Sequence, residues 1–152
     1  MATTRLGVSR VVASAMAAAL LVLVACGGQG SDSSPEDRLR AQAQDRSAQS
    51  DLRNALTTAK VYYTENETYS GLDPAMAGTI EPSLTWKGNE PASPGAVTIN
   101  LTDATVAVFS TLSESGQAFC IADDSAAITY GRQDAVDARS VGDCSASTTA
   151  GW

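Results

Sequence analysis

The chain of 152 residues contains no histidine. That removes the side chain that most often serves as general base or metal ligand near neutral pH. Motifs for common catalytic chemistry are missing as well: there is no G-x-S-x-G elbow, no S-x-x-K with its partners and no glycine loop shaped to cradle a phosphate. Basic residues are few, ten against seventeen acids, so a nucleic-acid backbone would repel the chain and nucleic acid is excluded as a partner. After residue 25 no stretch is apolar enough to cross a bilayer. These absences predict a protein that is not an enzyme and uses no cofactor.

What is present begins with an export pattern. Arg5 and Arg10 form a short cationic start, and Val11 to Leu23 is an almost unbroken apolar run, too short for a comfortable membrane span. It ends in Leu23-Val24-Ala25-Cys26. These four residues resemble the bacterial lipobox: an aliphatic residue three before the cysteine, small residues before the cut, and cysteine as first mature residue. The resemblance implies that residues 1–25 are a signal peptide and that Cys26 carries a diacylglyceryl thioether. An incidental free cysteine after an ordinary signal peptide is the alternative. Two acyl chains hold a protein stably at a membrane where one does not, so the expected location is the extracytoplasmic face of the cell membrane, with the lipid on Cys26 as anchor.

Two of the ten basic residues lie in the leader and all seventeen acids follow Cys26, leaving a mature net charge of −9. Anionic head groups would repel such a chain, so the lipid alone must attach it. Gly27 to Ser34, GGQGSDSS, is a flexible polar spacer, and residues 26–34 read as lipidated cysteine plus tether. Ser34-Pro35-Glu36-Asp37 then has the marks of a helix start: a capping serine, a first-turn proline and acids at the positive end of the dipole. From there to Gln49 the residues are nearly all charged, glutamine or alanine, with Leu39 the one large apolar side chain before Leu52. Between Asp51 and Gly71 the pattern sharpens. Leu52, Ala55, Leu56, Ala59, Tyr62 and Tyr63 fall on one stripe of a 3.6-residue period, with Asp51, Arg53, Asn54, Thr57 and Lys60 on the wet side. Asn66 and Gly71 tolerate left-handed backbone and end the pattern.

Residues 72–83 include Pro74, Gly78 and Pro82 and read as a loop with at most one short turn. Beyond it the periodicity changes from helical to alternating: Leu84 to Trp86, Val97 to Thr102, Val106 to Leu112, Phe119 to Ala122 and Ala127 to Tyr130. The later connections are short enough to join only antiparallel neighbours, which predicts a meander of about four strands. One face of that meander needs a cover, and the amphipathic helix is the available one. The predicted fold class is therefore α+β, a long N-terminal helix packed on a small antiparallel meander, in one domain at 35–145 with a flexible tail at 146–152.

With Cys26 assigned to lipid, Cys120 and Cys144 remain as a pair in an oxidising compartment and are expected to form a disulfide, two inert thiols being the alternative. The lower helix and exit loop together, DLRNALTTAKVYYTENETYS, with the sheet segment Phe119-Cys120-Ile121-Ala122-Asp123 and the distal Cys144, resemble the type IV pilins and type II secretion pseudopilins over roughly residues 50 to 145. The resemblance implies a globular head that contacts neighbours, secretion components or surfaces. Pilins carry a hydrophobic helix half that builds the filament. Here a lipobox, a spacer and the polar run Glu36 to Gln49 stand in its place.

Some pseudopilins bind calcium near the C-terminus, and the resemblance makes Asp123, Asp124, Asp134, Asp137 and Asp143 candidate Ca²⁺ ligands. Their spacing matches no EF-hand loop, and solvated carboxylates are the alternative. Tyr62, Tyr63 and Tyr69 read as rings buried under the exit loop, with a carbohydrate or protein platform as the other reading. The function expected is that of a lipid-anchored envelope protein acting by protein contacts, with an envelope partner from a pilus or type II secretion system. The alternative is a surface lipoprotein that binds a sugar, a peptide or Ca²⁺.

Overall fold

A capping box starts the long helix. The Ser34 hydroxyl accepts from the Asp37 N–H at 3.1 Å while the Asp37 carboxylate accepts from the Ser34 N–H at 3.2 Å. In the computed structural model, which describes residues 34–133 and 141–146, helix α1 then runs unbroken over Pro35–Asn66, 32 residues, or about 48 Å. Residues 1–33, with Cys26 and nearly all of the expected leader and tether, residues 134–140, with Asp134 and Asp137, and residues 147–152 lie outside the described residues. The helix ends near the expected place. The residue that turns left-handed is Glu67 (φ 56°), whose N–H still reaches the Tyr63 carbonyl at 2.7 Å. Asn66 serves differently, its side-chain amide donating to the Tyr62 carbonyl at 2.9 Å.

The buried face of α1 is Ala48, Leu52, Ala55, Thr58, Ala59 and Tyr62, with Leu56 and Tyr63 half-buried beside it. Three alanines on that face let the helix lie close on the sheet, where Leu52 and Tyr62 meet a core of Val97, Ile99, Phe109, Phe119 and Ile121. Burying each large side chain contributes roughly 1.5–3 kcal/mol. The face begins at Ala48: residues 34–40 are all exposed, Leu39 among them at 66%.

After the exit loop, α2 (Pro74–Ile80) stands where a loop is expected. Asp73 caps it, its carboxylate accepting from the Met76 N–H at 2.8 Å, and Pro74 occupies the first turn, where a missing N–H costs nothing. The sheet follows: β1 (Trp86–Gly88), β2 (Val97–Thr102), β3 (Ala107–Leu112), β4 (Ala118–Asp123) and β5 (Ile128–Gln133), neighbours in that order. Strands β2 to β5 form the antiparallel meander. Strand β1 departs from it. It pairs parallel with β2, Trp86 opposite Val97, so the sheet is five-stranded and mixed. A parallel return usually needs a dozen or more residues. Three residues of strand span only about 10 Å, and a connection of residues 89–96 covers that distance. Asn89 (φ 50°) and Gly95 (φ 69°) make its left-handed turns.

Alternation sorts β4 between two faces. Phe119 and Ile121 enter the core under α1, whereas Cys120 and Ala122 join Val108 and Cys144 on the other side. Cys144 sits on α3 (Val141–Ala146), a helix for which no element is expected and which reaches one residue past the expected domain end. The Cys120–Cys144 disulfide is present, with Cα atoms 5.8 Å apart. It closes a loop of about 25 residues, a constraint on the unfolded chain of about 3.5 kcal/mol. Gly131 makes the approach possible, since a Cβ there would lie 2.2 Å from the Cys144 carbonyl oxygen.

Candidate functional site

Phe119, Ile121 and Asp123 share one parity on β4, so the strand that directs two apolar side chains into the core directs a carboxylate there too. Asp123 is 1% exposed. A buried charge is tolerated only when paired and hydrogen-bonded, and three separate segments converge to do this. The Lys60 ammonium comes from α1 and the Tyr69 hydroxyl from the exit loop, both onto Oδ2. The Ser125 N–H, from the β4–β5 turn, donates to Oδ1 at 3.2 Å. Burial by itself would raise the Asp123 pKa; Lys60, Tyr69 and the Ser125 N–H outweigh it and hold the carboxyl below the usual range. Tyr69 moves the other way, raised by burial first and then by the hydrogen bond and charge of Asp123.

The exit loop is fastened around this point. The Tyr69 ring packs on Tyr63 with centroids 4.6 Å apart, and the Tyr69 N–H donates to the Ala104 carbonyl at 3.3 Å. The Tyr62 hydroxyl donates to the Ser70 carbonyl at 3.1 Å. Tyr62 and Tyr69 are buried and Tyr63 half-buried, so these rings are core and not a platform. The Tyr69 hydroxyl is not wet, as a tyrosine under a loop usually is, but engaged by a carboxylate. Chemically the cluster is a clasp. An ion-paired ammonium, a phenol held protonated and an ionised carboxylate offer no activated nucleophile.

The other acids have separate duties. Asp124 Oδ1 accepts from the Ala126 and Ala127 N–H groups at 3.1 and 2.8 Å, closing the β4–β5 turn. Asp143 is exposed on α3. Among the described residues, no three histidine, cysteine, aspartate or glutamate side chains stand close enough to share a metal ion. Cys120 and Cys144 are joined to each other. Trp86 belongs to the core side, its ring edge-on to Phe109 and its indole N–H on the Glu81 carbonyl at 3.0 Å. Lys60 escapes a reading by periodicity, which puts it on the wet face; the parity of Phe119, Ile121 and Asp123 is the signal that an acid points inward and needs a cation.

Among the described residues no helix is long and apolar enough to cross a membrane. Comparison of the chain with models of protein families, with curated proteins and with solved structures gives no match.

Proposed function

We propose that the chain is a non-enzymatic envelope protein, exported and lipid-anchored through Cys26, whose pilin-like domain works by protein contacts as an accessory of a pilus or type II secretion system. The observation that carries the reading is the abrupt change of character along α1. Its buried face starts at Ala48; before it Asp45 is held by polar contacts with Ser115 and Arg132, and residues 35–40 form a fully exposed polar extension. That extension is about 9 Å long. A filament subunit needs an apolar stem at this point, whereas a lipid-tethered head needs a wet spacer. The α+β head, with its helix under the sheet and its disulfide, agrees with the resemblance read from residues 50 to 145.

The test is crosslinking of the full chain in intact cells followed by its recovery from detergent extract. Enrichment of a pilus or secretion component is the expected result. Recovery without any such component contradicts the accessory role. A rise in Tm with a sugar, a peptide or Ca²⁺ in place of a protein partner favours the ligand-binding reading; a ligand at a hundred times its Kd adds about 2.7 kcal/mol.

A further inference from the structure

A groove of about 210 Å³ lies between the middle of α1 and the end of β3 with the turn that follows, lined among others by Ser47, Ala48, Asp51, Leu112, Ser113 and Glu114. Its volume is below that of a drug-sized pocket and suits one side chain. Asp51 reads in sequence as a wet-face residue, but it is half-buried here, and burial raises its pKa. Among the described residues its carboxylate has no hydrogen-bond or ion-pair partner. The neighbouring Asp45 is served by the Ser115 hydroxyl at 2.5 Å and by Arg132 at 3.7 Å. A carboxylate desolvated without a partner is the costly half of an ion pair.

We propose that this groove receives a positively charged side chain from a partner protein. Its ammonium or guanidinium meets Asp51 and the exposed Glu114, with the Ser47 hydroxyl oxygen as a further acceptor, and its aliphatic stem lies on Leu112; the buried Ser113 hydroxyl at the floor already accepts from the Ser115 N–H at 3.2 Å. An ammonium has three donors and no acceptor, which this lining of carboxylates and hydroxyls matches. Long cationic side chains also bury their methylenes on apolar surface. The inference deepens the protein-contact reading by naming what the partner presents.

The probes are small blocked amino acids, titrated into the full chain in detergent and followed by amide chemical shifts: N-acetyl-lysine methylamide, its arginine counterpart, and the lysine compound acetylated on Nζ. A cationic probe should bind with a Kd of roughly 1 mM and shift the amides of Ser47, Asp51, Ser113 and Glu114. The Nζ-acetylated probe should leave them in place. Asp51→Asn should weaken binding about tenfold, and Glu114→Gln less. Asp51 holds no other group and its ionised form is disfavoured by burial, so Asp51→Asn should unfold at or slightly above the wild-type temperature, and any loss of binding is then not a loss of fold. The proposal is overturned if neither cationic probe shifts these amides, if the neutral probe shifts them equally, or if Asp51→Asn binds as tightly as wild type. This titration reads the groove directly, so its failure leaves the tethered-head reading to the crosslinking test.

Discussion

The two halves of α1 share one backbone and little else. From Ala48 to Tyr62 the helix repeatedly buries a side chain against the sheet, while residues 34–40 bury none and Leu39 stands 66% exposed. An isolated helix as short as the first half would be marginal in water, because nucleation is unfavourable. Joined to the second half it needs only propagation, and alanine, glutamine and arginine are good propagators. The capping box at Ser34 then stops fraying at the far end. A helix nucleated by its sheet can thus extend beyond it as a stiff polar spacer with almost no core of its own.

The comparison breaks most readily at its apolar residues. Leu52→Ala should cost about 4 kcal/mol of unfolding free energy by leaving a cavity in the core, and Leu39→Ala should stay within about 0.5 kcal/mol. Urea denaturation of both variants measures this, and similar losses would mean that Leu39 packs against something. Charge gives the next contrast. Asp123→Asn should cost about 2 kcal/mol at pH 7, since it weakens the clasp on Lys60 and Tyr69, whereas Glu36→Gln in the exposed first turn should cost under about 0.5 kcal/mol.

The pH dependence has a definite sign. Asp123 binds its proton less readily folded than unfolded, so its stabilisation is complete above the unfolded value of about 3.9 and is lost as pH falls through the lower folded value. Denaturation at pH 7, 5 and 3, numbers chosen to straddle about that value, should show a fall toward acid in wild type that is smaller in Asp123→Asn. The smallest effect is local. Ser34→Ala should remove about 1 kcal/mol from the first turn only, seen as faster hydrogen exchange at residues 37 to 40 with global unfolding unchanged.

The elements built on repetition were legible in the residues. The apolar stripe from Leu52 to Tyr63, the alternation of Val97, Ile99 and Leu101, and the pair Cys120 and Cys144 all lead to what the fold contains. What escaped depends on partners distant in sequence or on very short pieces. Lys60 and Asp123 meet because α1 lies over β4, and nothing within either segment names the other. Strand β1 has three residues, too few for periodicity, and its parallel pairing follows from that brevity. Helix α2 hides behind Pro74 and Gly78, which mark a loop unless Asp73 is recognised as its cap. The half-burial of Asp51 comes from the turn after β3, placed there by the sheet.

The tethered head is tested most directly at Cys26. Expressing cells are fed labelled palmitate, and the chain recovered from membranes is read for label and for its first residue by mass spectrometry. A lipid-anchored protein incorporates label, begins at Cys26 and loses both properties in Cys26→Ser. A chain that stays unlabelled and keeps residues 1–25 contradicts the anchor, and with it the role of the polar half of α1 as a spacer.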